Sequence, residues 1–254
     1  MNDSVNVVVG VPIYRAGAYI LDKFLANQKD IQQNCPSSEL VFATNEPDFV
    51  KELEGALSHW ALKGRVLCYE TIKPDYAKSR LWNVSCGREA IRQYTLSKTK
   101  AKYLLSLDDD MIFDPNIIGI MERGIQNCDA IYSGYPLRDF GICLTGGGCC
   151  MITATVVGEI RYRCVEFKNG FALTEDTLLE FDLIRSGKRI KKGFFLVISH
   201  YINEGQANTI SPRPLGLYWR ITHSAFVRYM LIRASIAFKS NIGDWLRNLI
   251  YRFR

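Results

Sequence analysis

The chain has no run of 18 apolar residues without a charge, so no membrane-spanning helix is expected. It also lacks a basic segment ahead of its first apolar run. "MNDSVNVVVGVPIY" goes straight into β-branched residues, which is not the form of a signal peptide. There is no low-complexity tract, heptad array or short repeat, which sets aside coiled coils and solenoids. The eight cysteines form no CxxC pair and have no histidine at zinc-finger spacing. Cys149 and Cys150 are adjacent and the others scatter through apolar segments, so buried, reduced thiols in a cytoplasmic protein are expected. Histidine is scarce: His59, His200 and His223 are the only three.

What is present is a chain of 254 residues, 48% hydrophobic and 23% charged, enough for one large domain or a domain with an appendage. The charge is unevenly spread. Residues 219–254 hold Arg220, Arg228, Arg233, Lys239, Arg247, Arg252 and Arg254 against Asp244, which accounts for the whole net charge of +6. Residues 1–218 are therefore balanced and are read as the domain, with 219–254 as a basic tail.

The first 140 residues alternate β-rich runs with helical patterns. Strands are expected at 5–13, 39–45, 65–72 and 102–108, and helices at 18–34, 48–64 (closed by Gly64) and 77–98. Continuous apolar strands separated by helices predict an α/β fold, Rossmann-like, with a mostly parallel sheet covered on both faces. Farther on, Thr174 should start a helix that stops at Gly187, and 194–202 should form a last strand ending at His200. In open α/β sheets, ligands sit beyond the carboxyl ends of the strands. Pro12, Tyr14, Asn45, Glu46, Thr71 to Lys73 and Asp108 to Asp110 all fall there.

The last of these groups poses a physical problem. "KYLLSLDDDMIFDP" runs a buried strand into three adjacent carboxylates, which repel one another. Strand period two would point Asp108 and Asp110 the same way, and a shared Mn²⁺ or Mg²⁺ would remove the repulsion. The bland alternative is a solvated turn with helix-capping aspartates. Glu175 and Asp176 suit a first helical turn by charge alone, or supply a general base for an attacking hydroxyl. His200 is a structural strand-end histidine or a third ligand for Mn²⁺. Gly146-Gly147-Gly148 is backbone that can approach a ligand closely.

Five segments, in order, resemble the GT-A nucleotide-sugar glycosyltransferases, in particular the family-2 type. They are "VVVGVPIY", "LSLDDDMIFDP" (the DxD segment), "TGGGCCMITATVV", "FALTEDTLLEFDLIRSGKRI" and "ISHY", and together they cover about residues 5–203. The resemblance implies a GT-A fold and a hexosyltransferase-like enzyme. It places Asp108 and Asp110 at metal and donor diphosphate, Asp109 near the ribose, and His200 as a further metal ligand. It makes Asp176 the catalytic base and Glu175, with Gly147 and Gly148, part of the acceptor site. Pro12, Tyr14, Glu46 and Arg80 would meet the nucleotide. "TNEPD" departs from the usual acidic cluster after the second strand, and the QxxRW motif of processive synthases is absent, which favours transfer of one sugar.

In "DWLRNLIYRF", helical angles of about 100° per residue put Trp245, Leu246, Leu249, Ile250 and Phe253 on one side and Asp244, Arg247, Asn248 and Arg252 on the other. Such a helix lies in an anionic membrane interface, or packs on the body with its basic face in water. No helix-turn-helix or aromatic platform suggests nucleic acid. The leading expectation is a Mn²⁺- or Mg²⁺-dependent transferase, cytoplasmic or peripheral on the cytosolic face of a membrane. It would take a nucleoside-diphosphate sugar to a glycan, lipid-linked or small-molecule acceptor, with inversion. The alternatives are a nucleotidyltransferase on a related sheet, against which "VPIYRAG" lacks a Gly-rich phosphate loop, and a catalytically silent sugar-nucleotide or membrane-binding module.

Overall fold

The structure, a computed structural model, describes residues 5–137, 143–167 and 170–252, with backbone alone for 143–144 and 240–252. Strand β1 (Val7–Pro12) leads through a 3-10 turn (Arg15–Ile20) to α1 (Leu21–Asn34). β2 (Ser38–Thr44), α2 (Pro47–His59), β3 (Gly64–Cys68), α3 (Leu81–Lys98) and β4 (Tyr103–Leu107) follow. After the acidic triplet come β5 (Met111–Phe113), α4 (Ile117–Ile125), β6 (Ala130–Ser133), the short β7 (Tyr135–Pro136) and β8 (Cys143–Leu144), and β9 (Cys149–Thr153). Next are α5 (Ala154–Glu159), the antiparallel pair β10 (Val165–Glu166) and β11 (Ala172–Leu173), and α6 (Glu175–Arg185). β12 (Ile190–Gly193), β13 (Ile198–Asn203), β14 (Gln206–Ile210), α7 (Leu217–Thr222) and α8 (Ala225–Arg252) end the described chain.

The main sheet has the order β12-β6-β9-β4-β1-β2-β3. Strands β1 to β4 run parallel, β12 pairs parallel with β6, and β9 lies antiparallel between β4 and β6. Apolar residues alternate between the two faces with period two, as strand geometry requires. Val7, Val9 and Val11 join Leu40, Phe42, Leu105 and Leu107 in one core, with Phe24, Phe49 and Ile117 from α1, α2 and α4. Val8, Val41, Leu104 and Ile152 join the opposite core, with Ile91, Val157 and Leu183 from α3, α5 and α6. A fully buried residue of this size stabilises by about 1.5–3 kcal/mol, so each strand is held from both sides.

Several boundaries differ from expectation for identifiable reasons. Helix α2 ends at His59, not Gly64. Leu62 N–H bonds Leu57 O and Ala61 N–H bonds Ser58 O, both at 3.0 Å, with Ala61 left-handed at φ 53°. That is a complete Schellman end, with Leu57 and Leu62 both in the same core. Gly64 opens β3 instead, where a Cβ would stand 2.6 Å from the Leu40 carbonyl. The strand expected at 194–202 begins at Ile198, His200 lies inside it, and it is not the last, since β14 follows. There β13 pairs with β14 and with β5, setting His200 opposite Met111.

The start of the C-terminal helical segment is seated on the body. Trp219 meets Phe194 edge-on at 4.9 Å, Tyr229 stacks on Phe181 at 5.3 Å, and Ile232 is buried. No described helix is long and apolar enough to cross a membrane. The amphipathic expectation for Trp245 to Phe253 concerns side chains outside the described residues. The seven described cysteine side chains are all free thiols.

Candidate active site

The carboxyl ends of β1 and β4, the start of α3, the glycine segment and the start of α6 surround a cavity of about 540 Å³. Of the residues expected from sequence, Pro12, Tyr14, Glu46, Arg80, Asp108, Asp109, Asp110, Gly147, Gly148, Glu175 and Asp176 line it. His200 stands behind Asp110. Asn45 and Thr71 do not line the cavity; they brace it, Asn45 donating to Thr71 Oγ1 and Thr71 to Asn83 Oδ1, each at 3.0 Å. Tyr14 donates to the Tyr69 hydroxyl at 2.7 Å and Tyr69 in turn to Asn83 O, so this wall is a bonded chain.

The three aspartates do not share one environment. β4 ends at Leu107 and the chain turns through 108–110 into β5, so the two-residue periodicity of a strand stops before it can align Asp108 with Asp110. Asp108 Oδ1 accepts from Arg88 Nη2 at 2.6 Å, and a Cβ at Gly148 would stand 2.3 Å from its Oδ2. Asp109 lies beside Gly17, and Asp110 is 6% exposed. Asp110 Oδ1 is 3.4 Å from His200 Nε2, while His200 Nδ1 is 2.6 Å from Pro136 O. The carbonyl makes Nδ1 the protonated nitrogen, so Nε2 turns to the carboxylate either as an imidazolium or as a lone pair.

Among the described residues no group of three or more His, Cys, Asp or Glu side chains is arranged to hold a metal ion. What the fold does bring together is the Asp110 carboxylate and His200 Nε2, an O,N donor pair of the type that suits Mn²⁺ and leaves positions for phosphate oxygens. Asp108 gives one oxygen to Arg88, and its side chain is about one-third exposed.

At the start of α6, Thr174 caps the helix, its Oγ1 accepting from Thr177 N. Asp176 Oδ1 accepts from Thr177 N at 2.7 Å and from the Thr174 hydroxyl. A Cβ at Gly146 would fall 2.5 Å from Asp176 Oδ2 and 2.7 Å from the Tyr135 hydroxyl. The glycine segment is thus bare because two site side chains pass against it. Glu175 is 6% exposed and accepts from Arg88 Nε at 3.2 Å. Burial raises its pKa to about 7, Arg88 pulling it back down and Asp176 adding repulsion.

Three contributors were not expected from sequence. Arg88, 3% exposed, bridges Asp108 and Glu175. Burial opposes its charge, but the two acids more than offset that and hold its pKa up. A helical signal was available, since Arg80, Val84 and Arg88 recur every four residues and all three line the cavity. Tyr135 borders Asp176 and meets His200 edge-on at 6.1 Å. Glu166 accepts from Lys78 N, Ser79 N and Trp82 Nε1 at 3.0–3.2 Å. Arg80, at the cap position of α3, makes no side-chain cap bond; Ser79 Oγ accepts from Leu81 N at 3.2 Å there, and Glu166, from β10, fixes the segment just ahead of the helix.

No family model matches the chain, and no curated protein matches its sequence. Solved structures do match. A mannosyltransferase from Pyrobaculum calidifontis, in complex with GDP-Man and Mn²⁺, has a TM-score of 0.50 and 14% identity, covering 74% of this chain and 55% of that one. Residues 1–349 of S. aureus TarS, in complex with UDP, give 0.53 and 11%, covering 93% of this chain and 66% of that one. The same TarS fragment with UDP-GlcNAc gives 0.51 and 12%, over 93% and 67%. The chain thus spans 55% of the first structure and about two thirds of the second. At these identities the likeness is one of architecture, and the architecture is the GT-A-like fold of nucleotide-sugar glycosyltransferases.

Proposed function

We propose that the protein transfers one sugar from a nucleoside-diphosphate sugar to an acceptor hydroxyl, with inversion, in a metal-dependent reaction at the cytosolic face of a membrane. The observation that carries this reading is a single cavity lined by both Asp108–Asp110 and Glu175–Asp176. Such a cavity offers a place for a leaving diphosphate and a base for the incoming hydroxyl. The matched structures hold GDP-Man, UDP and UDP-GlcNAc, and one holds Mn²⁺, which supports the same classes of ligand here.

In this reading Pro12, Tyr14, Glu46 and Arg80 meet the nucleoside, and Asp109 lies nearest the ribose. Asp108, Asp110 and His200 hold Mn²⁺ or Mg²⁺ on the donor-diphosphate side, Asp108 through the oxygen that Arg88 does not engage. A bound cation supplies Lewis-acid stabilisation of the departing diphosphate. Asp176, fixed by Thr174 and Thr177, takes the proton of the acceptor hydroxyl. Gly147 and Gly148 leave room for the acceptor, and Glu175 supports that wall through Arg88. Residues 1–218 form the catalytic body and 219–254 the membrane-facing element. Supporting the latter are Ile221, Phe226 and Phe238, all more than half exposed, beside the basic residues of the tail.

The test is a screen of UDP-, GDP- and dTDP-sugars with and without Mn²⁺. One donor should raise the melting temperature in a Mn²⁺-dependent way and be turned over when acceptor glycans or lipids are added. A chain that no nucleotide-sugar stabilises is not a glycosyltransferase of this kind.

A further inference from the structure

Helix α6 serves two cavities. Asp176 faces the one above, while Glu180, about one helical turn farther on, reaches a second cavity of about 230 Å³ beneath α7, lined also by Lys192, Leu215, Trp219, Arg220 and His223. Glu180 is the only acid in that lining, and it is shared. Lys192 Nζ lies 2.5 Å from its Oε1, and Arg228 donates to Oε1 at 2.9 Å and Oε2 at 2.6 Å. The Lys192 side chain is 7% exposed and that of Glu180 5%.

One buried carboxylate thus serves two cations, and Arg220 brings a third to the wall, exposed and without an ion pair among the described residues. Surplus positive charge partly out of water is costly unless something neutralises it. Burial lowers the Lys192 pKa against the pull of Glu180. Burial, with Lys192 and Arg228 nearby, lowers that of His223 to about 4, so the imidazole adds no charge at neutral pH. Its ring stacks on Trp219 at 3.9 Å and forms a flat wall. Leu217, Tyr218 and Ile221, on the same short helix as Arg220, remain exposed.

We propose that this second cavity binds a phosphate group, with Arg220 and Lys192 as its contacts and the half-buried Arg228, on the far side of Glu180, as further positive charge. Ammonium and guanidinium donors on an oxyanion make strong, charge-assisted bonds. A lipid headgroup and free inorganic phosphate offer the same chemistry, and the exposed apolar residues of α7 favour the headgroup. The site is independent of glycosyl transfer, so neither assignment depends on the other.

The test uses the full-length protein with two probes: inorganic phosphate followed by calorimetry, and phosphatidylcholine vesicles with or without phosphatidic acid followed by sedimentation. Wild type should bind at least one probe. Arg220→Ala, melting as wild type does without phosphate, should weaken that binding by about tenfold. Lys100→Ala, which removes the same charge from the turn before β4, should change it by less than about twofold. Binding of inorganic phosphate with no gain from phosphatidic acid assigns the site to free phosphate, and the reverse assigns it to the headgroup. Binding of both probes, each weakened in Arg220→Ala, supports the shared phosphate chemistry. No binding of either probe, unchanged binding in Arg220→Ala, or an equal loss in Lys100→Ala overturns the proposal.

Discussion

Arg88 and Asp108 are joined by a 2.6 Å bond, and the same guanidinium reaches Glu175 at 3.2 Å. One buried cation therefore ties the acidic end of β4 to the start of α6. Removing one partner of a buried pair leaves an uncompensated charge and typically costs about 3–5 kcal/mol. Asp108 is about one-third exposed at its side chain, which lets water recover part of that. Arg88→Met should lose about 3 kcal/mol in urea denaturation, and Arg88→Lys, with one point charge in place of a fork, should fall between. A loss below about 1 kcal/mol in Arg88→Met would mean the bridge is not structural.

Glu175 makes stability depend on pH with a definite sign. Its folded pKa of about 7 lies above the ordinary 4.5, because burial disfavours the charged form. Between those two values the folded state holds a proton that the unfolded state has released. Stability is therefore greatest below about pH 4.5 as far as this group is concerned, falls as pH rises toward 7, and is level above. The fall is on the order of 3 kcal/mol. Glu175→Gln should flatten the slope between pH 5 and 7 in chemical denaturation. An unchanged slope would assign it to another group.

The sheet was legible because its strands are buried on both faces and carry unbroken apolar runs, which identify parallel strands between helices. Its carboxyl edge followed from that, and with it Pro12, Tyr14, Glu46 and Asp108 to Asp110 of the cavity lining, whereas the places of Arg80, Gly147, Gly148, Glu175 and Asp176 came from the resemblance to a known family. The turn at Asp108–Asp110 was not legible, since strand periodicity gives no sign that β5 leaves β4 to pair with β13. Gly64 was misread because a glycine after a helix usually ends it, whereas here tight contact with Leu40 requires it. Arg88 and Glu166 act across 20 residues or more of chain, and pairings that distant leave no local pattern.

Asp176 is held by its own helix start, with bonds from Thr177 N and the Thr174 hydroxyl. Asp176→Asn keeps the shape and the donor side but removes the proton acceptor. Donor affinity should stay within about twofold, while transfer falls by about 10²–10⁴. Single-turnover transfer compared with donor titration separates the two. Equal turnover in mutant and wild type would remove Asp176 from the chemistry.

Asp110 and His200 should act as one unit in cation-dependent binding. Asp110→Asn removes the charge and His200→Ala the imidazole, while the β5–β13 pairing that positions both is backbone. Each variant should lose Mn²⁺-dependent stabilisation by donor, and the double variant should lose little more, as expected for groups that share one ligand. Donor titrations by melting temperature at fixed Mn²⁺ read this directly. If Asp110→Asn binds donor in Mn²⁺ as wild type does, the pair is structural.

The tail divides into a part that holds the body and a part that need not. Arg228 closes both oxygens of Glu180, Tyr229 stacks on Phe181, and Lys239 Nζ donates to Ala172 O at 2.8 Å. A chain cut after Leu217 would leave the Glu180 carboxylate with Lys192 alone and uncover Phe181, so it should melt well below the full-length protein. A cut after Lys239 keeps all three contacts and removes three of the seven basic residues of the tail. Interfacial binding combines apolar insertion with roughly 1 kcal/mol per basic residue near an anionic surface. The chain ending at Lys239 should therefore melt within a few degrees of full length while sedimenting much less with anionic vesicles. High salt should release only part of the full-length protein, because screening removes the Coulomb attraction and leaves insertion. Equal sedimentation of both chains would place membrane contact on α7 and the first half of α8, and no sedimentation of either would make the whole tail a structural element.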